Sequence, residues 1–334
     1  MHPAISHISA ARFWVGCDDD QALAVKPFSD EATNEQSIAL SADALEAVRS
    51  TLAIDAQETV HFLAGLQKLR RTLAGASCHS ISNPLPQESF VEMVGLQEAL
   101  IVSPELSFVQ MGAALHFVDL VRYGSALCSL FAIDRSDPNR PIIRREKPIA
   151  SIESISRFIE SAPRMKGAKM ARSAIPCILE NARSPLEIDA ALHMCLPRCK
   201  GGSGLPRPIL NQKIWLDRPI ETTDRAGVRR YIDSFECDLV WEDGSKTVVV
   251  EYQGESYHSH ESAIHRDSVK INALASQGVR VFVLTKKQLY DLVQFRRFVE
   301  SLRKAIGARD RSSVRDFEQR QTQLHARLVS PLQL

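Results

Sequence analysis

A tight turn between two β-forming runs constrains this chain more than any other feature of its sequence. Residues 235–241 and 247–254 are rich in valine and aromatic residues, and they flank the pair Asp243-Gly244. An Asp-Gly pair between such runs is the strongest short-range signal for a β-hairpin, because both residues tolerate the positive φ angles of the turn. The sequence therefore predicts two adjacent antiparallel strands.

Other elements surround this hairpin. Ser184, Pro185 and Glu187 occupy the N-cap, N1 and N3 positions expected at the start of a helix. The predicted elements, in order, are a helix over 184–195, strands over 208–216, 235–241 and 247–254, a helix over 262–277, a strand over 279–285, and a last helix capped by Thr285. This order, helix, three strands, helix, strand, helix, is typical of an α/β sandwich.

The hairpin brings acidic residues together. If Asp243 and Gly244 form the turn, Asp238 faces Val249 and Glu251 faces Glu236. Alternation then places the three acids and Gln253 on one face, with Phe235 and Cys237 on the opposite, core face. The diagonal neighbours Asp238 and Glu251 would lie roughly 7 Å apart at the backbone.

Two interpretations of this acidic face follow from spacing alone. Like charges across a hairpin destabilise it unless a cation offsets them, and Mg²⁺ prefers carboxylate oxygens. The alternative is that the face is the solvated side of an antiparallel sheet, where acidic residues are common.

The motifs resemble those of the PD-(D/E)XK nuclease superfamily, and more closely the small endonuclease-like domains related to the very-short-patch repair endonuclease. The resemblance covers about residues 181–306. The matching stretches are Ser-Pro-Leu-Glu187, Cys-Asp238-Leu-Val-Trp, Val-Val-Val-Glu251-Tyr-Gln253-Gly254-Glu-Ser-Tyr-His258, His-Arg266-Asp267-Ser-Val-Lys270 and Gly278-Val-Arg-Val-Phe-Val-Leu-Thr285.

This resemblance implies a restriction-endonuclease-like α-β-β-β-α-β-α sandwich that binds Mg²⁺, or Mn²⁺ in its place. Asp238 and Glu251 would hold the ion, and Glu187 would approach it, unless that glutamate serves only as a helix cap. Such an ion acidifies a water molecule and neutralises charge on a scissile DNA phosphate. Gln253 stands where lysine is commonest and cannot change charge; Lys270 is the nearest candidate to supply the missing positive charge.

Several further residues are candidates for contact with DNA. His258 follows the second hairpin strand, where it would act as a general acid or base, or contact a phosphate; a loop histidine without a role is the alternative. Together with His260, His265 and Asp267 it also raises the less favoured interpretation of a zinc site. The predicted nucleic-acid-binding cations are Arg266, Lys270, Lys286 and Lys287.

Charge and periodicity divide the chain. Residues 1–150 carry 12 Lys and Arg against 18 Asp and Glu, whereas residues 151–334 carry 29 against 22. The predicted organisation is a mostly helical N-terminal domain (1–150, with helices over 41–52, 58–73 and 108–130), a helical connector (151–180), the nuclease-like domain (181–306) and a basic polar tail (307–334). The basic half is the one suited to a polyanion.

The sequence thus predicts an Mg²⁺-dependent DNA endonuclease, with a homodimer as a further expectation. The main alternative is a weak or inactive nuclease-fold module that binds DNA or regulates a phage-defence or toxin-antitoxin system, which Gln253 favours. A third is a phosphoesterase for small nucleotides. Seven scattered cysteines, no secretory signal and no long apolar run predict a cytoplasmic protein with reduced thiols and no membrane partner.

Overall fold

The computed structural model of this chain describes two compact units of mixed α/β structure. The described residues are 4–23, 25–27, 42–52, 54–64, 73–80, 84–93, 100–134, 137, 139, 141–223, 229–244, 246–253, 261–309, 314–332 and 334. The first unit comprises residues 1–180 and 332–334, and the second comprises residues 181–331. None of the described helices is long and apolar enough to cross a membrane.

The first unit combines helices with a six-stranded mixed sheet. Its strands are β1 (Ala4–Ile5), β2 (Val25–Pro27), β3 (Val60–Ala64), β4 (Ala76–Ser80), β5 (Phe90–Met93) and β6 (Leu100–Val102), with β7 (Phe131–Ile133) and β8 (Ile142–Arg144) forming a separate pair. The order in the large sheet is β2-β5-β6-β1-β3-β4. Its helices are α1 (His7–Gly16), α2 (Asp19–Leu23), α3 (Ala42–Thr51), α4 (Pro104–Met111), α5 (Phe117–Leu127), α6 (Ile152–Ser161) and α7 (Ala168–Ala174).

Three predictions for this unit need correction. The helix expected over 58–73 is wrong where it is described, because residues 60–64 form β3. The single helix expected over 108–130 is two helices, α4 and α5, and His116 caps the second with its ring nitrogen. The expected connector, residues 151–180, holds α6 and α7 and belongs to the first unit.

The second unit follows the predicted order of elements up to its last strand, after which the single predicted helix is two helices. It contains α8 (Pro185–Cys195), β9 (Ile209–Thr223), β10 (Arg229–Asp243), β11 (Lys246–Gln253), α9 (Glu261–Ser276), β12 (Arg280–Thr285), α10 (Lys286–Tyr290), α11 (Leu292–Ile306) and α12 (Phe317–Leu328). The four strands form one sheet in the order β12-β11-β10-β9. β9, β10 and β11 are antiparallel, and β12 runs parallel to β11.

Both predicted caps are confirmed. The Ser184 hydroxyl accepts a hydrogen bond from the Glu187 amide, with Pro185 in the first turn. Thr285 forms a capping box with Gln288 at the start of α10.

The hairpin is confirmed, but its predicted register is wrong by two residues. Asp243 pairs with Lys246, so that Gly244, with a φ of +52°, is the first residue of the turn. Leu239 therefore faces Val250. The observed register keeps Gly244 at a positive-φ position of the turn. It also places the oppositely charged Asp243 and Lys246 across from each other, which favours this register.

The face predicted to be solvated is instead covered by α9. Val240 and Val249 are fully buried and pack with Leu274 of that helix. Cys237, expected on the opposite face, belongs to the same cluster. The ladder between β9 and β10 skips Asp238, and Asn211 on β9 has a φ of +51°. Because Cys237 and Val240 belong to one cluster, alternation alone does not assign the faces of β10.

Residues 307–331 of the predicted C-terminal tail belong to the second unit. Its helix α12 packs beside a glycine-rich loop at 200–207, and a Cβ added at Gly201 would lie 2.3 Å from the Arg320 carbonyl oxygen. A Cβ at Gly202 would lie 2.1 Å from the Leu196 carbonyl oxygen. The glycines at these two positions allow the close approach of the backbone.

We expect Gly202→Ala to lower the free energy of unfolding of the second unit by about 1–3 kcal/mol, because the new methyl group overlaps backbone atoms that cannot move aside easily. Denaturant unfolding followed by the fluorescence of Trp215 and Trp241 would measure the change. Ser203→Ala, at the neighbouring position, is the matched control. An unchanged midpoint for Gly202→Ala would contradict this account of the loop.

Candidate functional site

Asp238 lies at the point where the paired register of β10 and β11 ends. The last pair toward this end is Leu239 with Val250. Beyond it, the Tyr252 amide donates a 2.7 Å hydrogen bond to Asp238 Oδ2, a side-chain rather than a main-chain acceptor. Burial raises the pKa of Asp238, while the Tyr252 hydrogen bond and the positive charge of Lys270 lower it. The net direction is upward.

Glu251 lies on the neighbouring strand β11 and is electrostatically coupled to Asp238. Its side chain is 15% exposed, and Oε2 accepts a 2.6 Å hydrogen bond from Lys270 Nζ. The other oxygen, Oε1, is buried and has no hydrogen-bond partner among the described residues. Burial, followed by the negative charge of Asp238, raises the pKa of Glu251 to about 7, against the opposing effect of Lys270.

Lys270 provides the positive charge at this site. It projects from α9, and its ammonium group donates both to Glu251 and, at 2.6 Å, to the Glu236 carbonyl oxygen. Its charge also lowers the pKa of Asp238. The structure thus places Lys270, the residue predicted to supply positive charge, in an ion pair with Glu251.

Glu187 is both a helix cap and an electrostatic neighbour of this pair. Its carboxylate accepts hydrogen bonds from the Ser184 hydroxyl (2.8 Å), the Arg183 amide (2.9 Å) and Asn211 Nδ2 (2.7 Å). Burial raises the pKa of Glu187, and the charge of Asp238 raises it further. Its oxygen atoms are thus engaged locally, although it lies close enough to Asp238 to sense its charge.

The contacts of the described residues do not bring the remaining predicted residues to the Asp238–Glu251 pair. Gln253 pairs with Thr285 at the end of β11. Lys286 lies 5.6 Å from the ring centroid of Tyr290, and Lys287 is exposed beside it at the start of α10. Arg266 belongs to α9 by its backbone. His258 and His260 lie outside the described residues.

Sequence reasoning missed three participants. Arg183 forms an ion pair with Glu236, and its charge lowers the pKa of Asp238. Asn211 holds Glu187, and Cys237, whose pKa burial raises to about 12, lies against Glu251. No local motif marks these residues, because their roles depend on contacts between separate elements.

A ligand set for a bound cation is only partly assembled. No group of three or more His, Cys, Asp and Glu side chains that could hold a metal ion occurs within the described part of the chain. What the structure brings together is a pair of carboxylates, one with a free buried oxygen, beside a lysine.

Comparisons with models of protein families, with characterised proteins and with solved structures found no match to this chain.

The raised pKa of Glu251 predicts pH-dependent stability. The folded carboxyl group keeps its proton up to about pH 7, whereas the ordinary pKa of a glutamate, as in the unfolded chain, is 4.5. The stabilisation is complete below pH 4.5 and is lost as the pH rises through 7. In EDTA, we expect the unfolding free energy to fall across this range and to fall less in Glu251→Gln. Glu242→Gln, at an exposed position on β10, should keep the native slope; equal slopes for all three proteins would refute the assignment.

Replacing Lys270 tests the electrostatic coupling directly. Lys270→Met removes the positive charge beside Glu251, so we expect the Glu251 pKa to rise above 7 and the unfolding free energy at pH 8 to fall by about 1–3 kcal/mol. Asp238→Asn should move the same pKa downward. Carboxyl ¹³C chemical shifts followed through a pH titration would report these values. Lys270→Arg keeps the charge and should stay near the native pKa, and a Met variant indistinguishable from it would contradict the coupling.

Proposed function

We propose that the second unit is an Mg²⁺-dependent DNA endonuclease of the PD-(D/E)XK type that hydrolyses phosphodiester bonds. The observation that carries the proposal is the pair Asp238 and Glu251, partly buried on adjacent strands with raised pKa values and with Lys270 bonded to Glu251. Carboxylates are seldom placed together out of water without a cation to offset their charges.

The order of elements supports a restriction-endonuclease-like fold. A helix, three antiparallel strands, a helix, a strand parallel to the third, and two closing helices follow one another from α8 to α11. The two acids lie on its central strands, at the end of their paired segment, where their side chains are not required for the ladder.

The residues present fit a hard divalent cation. Mg²⁺ is commonly bound through one or two carboxylates, with water and substrate phosphate oxygens completing the coordination. Glu251 Oε1 is a buried carboxylate oxygen without a partner among the described residues, which suits it to accept such an ion. Asp238 and Glu251 would therefore hold the cation, and Mn²⁺ would serve in its place.

The chain's own residues at this site would have separate roles in the reaction. When bound, Mg²⁺ lowers the pKa of a water molecule and neutralises negative charge on the phosphate. Lys270 keeps Glu251 oriented and contributes a second positive charge. Glu187 positions Asn211 beside Asp238, and the Gln253 amide would orient a water molecule without exchanging a proton.

DNA is the substrate class that the charge distribution favours. Residues 151–334 have an excess of seven basic over acidic side chains. Lys286 and Lys287 begin α10 directly after β12, the strand beside β11. Lysines at the start of a helix can contact a phosphate backbone together with the helix amides.

We expect the protein to cleave duplex DNA in Mg²⁺ or Mn²⁺, and Asp238→Asn or Glu251→Gln to reduce the rate at least about 100-fold, because each removes a charged ligand. Gel assays on supercoiled and linear DNA would measure cleavage. Glu242→Gln, on β10 and exposed, is the matched control and should retain activity.

Cleavage that persists in EDTA, or that survives both carboxylate substitutions, would exclude this mechanism. Activity on mononucleotides with little on duplex would instead support the small-nucleotide phosphoesterase.

A second candidate function is a DNA-binding or regulatory module that does not hydrolyse DNA. Two observations favour it: Gln253 replaces the usual lysine, and Lys270 already neutralises part of the charge on Glu251. Such a module would bind DNA equally well with and without EDTA. Its affinity would be insensitive to Glu251→Gln.

A further inference from the structure

A cavity of about 760 Å³ lies in the second unit, where it is lined by the glycine-rich loop, by Arg303 near the end of α11, by residues 307–309 and by Val314. Its size is within the usual range for small-molecule sites. Cavities of this kind bind ligands when apolar walls are combined with a few well-placed polar groups. Leu205 and Val314 are among its apolar lining residues.

The charged side chains in the described lining of this cavity are all basic. Arg198, Arg303 and Arg309 all contribute to it, and its described lining includes no aspartate or glutamate. A bound anion would be attracted to all three guanidinium groups around this concave surface. Guanidinium groups also match the geometry of phosphate oxygens, to which they donate two parallel hydrogen bonds.

Ser203 gives a second, independent indication of a ligand. It lines the cavity and is 4% exposed, and its Oγ has no hydrogen-bond partner among the described residues. A buried hydroxyl left without a partner is destabilising, so a ligand oxygen that accepts its proton would be favoured.

Two of the arginines are fixed in place before any ligand arrives. The Arg198 guanidinium lies over the Phe317 ring, 4.0 Å from its centroid. Arg303 donates to the Ser203 carbonyl oxygen. Ordered side chains lose little conformational entropy on binding, which favours a specific site over a diffuse basic surface.

We propose that this cavity binds the 5′-phosphate of a nucleotide, with the phosphate at the three arginines and Ser203 and the nucleoside against the apolar wall. The source is either a free nucleotide or the phosphorylated end of a DNA strand. The site is separate in its residues from the Asp238–Glu251 pair and does not depend on hydrolysis by that pair.

Cys199 provides a direct readout, because this exposed thiol lines the same cavity. The rate of its alkylation by iodoacetamide would be followed by mass spectrometry on the full chain in EDTA, where metal-dependent cleavage cannot occur. The probes are dAMP, 2′-deoxyadenosine, and one short oligodeoxynucleotide with and without a 5′-phosphate. Cys177, in the first unit, is an internal reference.

We expect dAMP or the 5′-phosphorylated oligonucleotide to slow alkylation of Cys199, and their unphosphorylated counterparts to have little effect. Whichever protects at the lower concentration identifies the source. Arg309→Gln should raise the required concentration roughly 5- to 10-fold and Ser203→Ala about 3-fold. Lys304→Gln, on α11 but outside the cavity, is 76% exposed and should leave it unchanged.

Equal protection with and without the phosphate, no protection by any probe, or an equal loss in Lys304→Gln would overturn the proposal. Because Glu251→Gln should leave this protection intact, failure here is distinguishable from failure of the proposed nuclease activity.

Discussion

The second unit places two partly buried carboxylates, Asp238 and Glu251, near one ammonium group, that of Lys270, which hydrogen-bonds Glu251 and acts on Asp238 through its charge. Burial raises the pKa of Asp238 and the pKa of Glu251, and the positive charge of Lys270 opposes the rise in both. Withdrawing charges from water costs several kcal/mol per ion unless hydrogen bonds and opposite charges offset the loss. Here the compensation is incomplete, since Glu251 Oε1 has no partner among the described residues. Perturbed pKa values of this kind are common at functional sites.

The interaction also explains the local backbone. Regular pairing of β10 and β11 stops one residue short of Asp238, where the carboxylate takes the Tyr252 amide hydrogen bond. Opposite it on β9, Asn211 adopts a positive φ and reaches Glu187. Such an irregular conformation costs stability, and it occurs where three acidic side chains influence one another. The strand geometry and the electrostatics of the site are therefore linked.

The sequence predicted elements correctly where the signal for a helix start was chemically distinct. Ser184 and Thr285 mark helix starts by side-chain hydrogen bonds that act within a single turn, and the order of elements in the second unit follows from such signals. It failed for β3, because five residues alternate too briefly to be distinguished from a helical pattern. The hairpin register was wrong by two residues because an Asp-Gly pair can occupy more than one position in a turn.

The sequence by itself determined the chemistry available: two acids on neighbouring strands, a lysine on the next helix, and their spacing along the chain. Only the tertiary structure decided that α9 covers the expected solvent face, that Lys270 reaches Glu251, and that Arg183 and Asn211 join the site. The reason is physical. Local propensities act over a few residues, whereas burial and the pKa shifts it causes depend on which distant elements pack together.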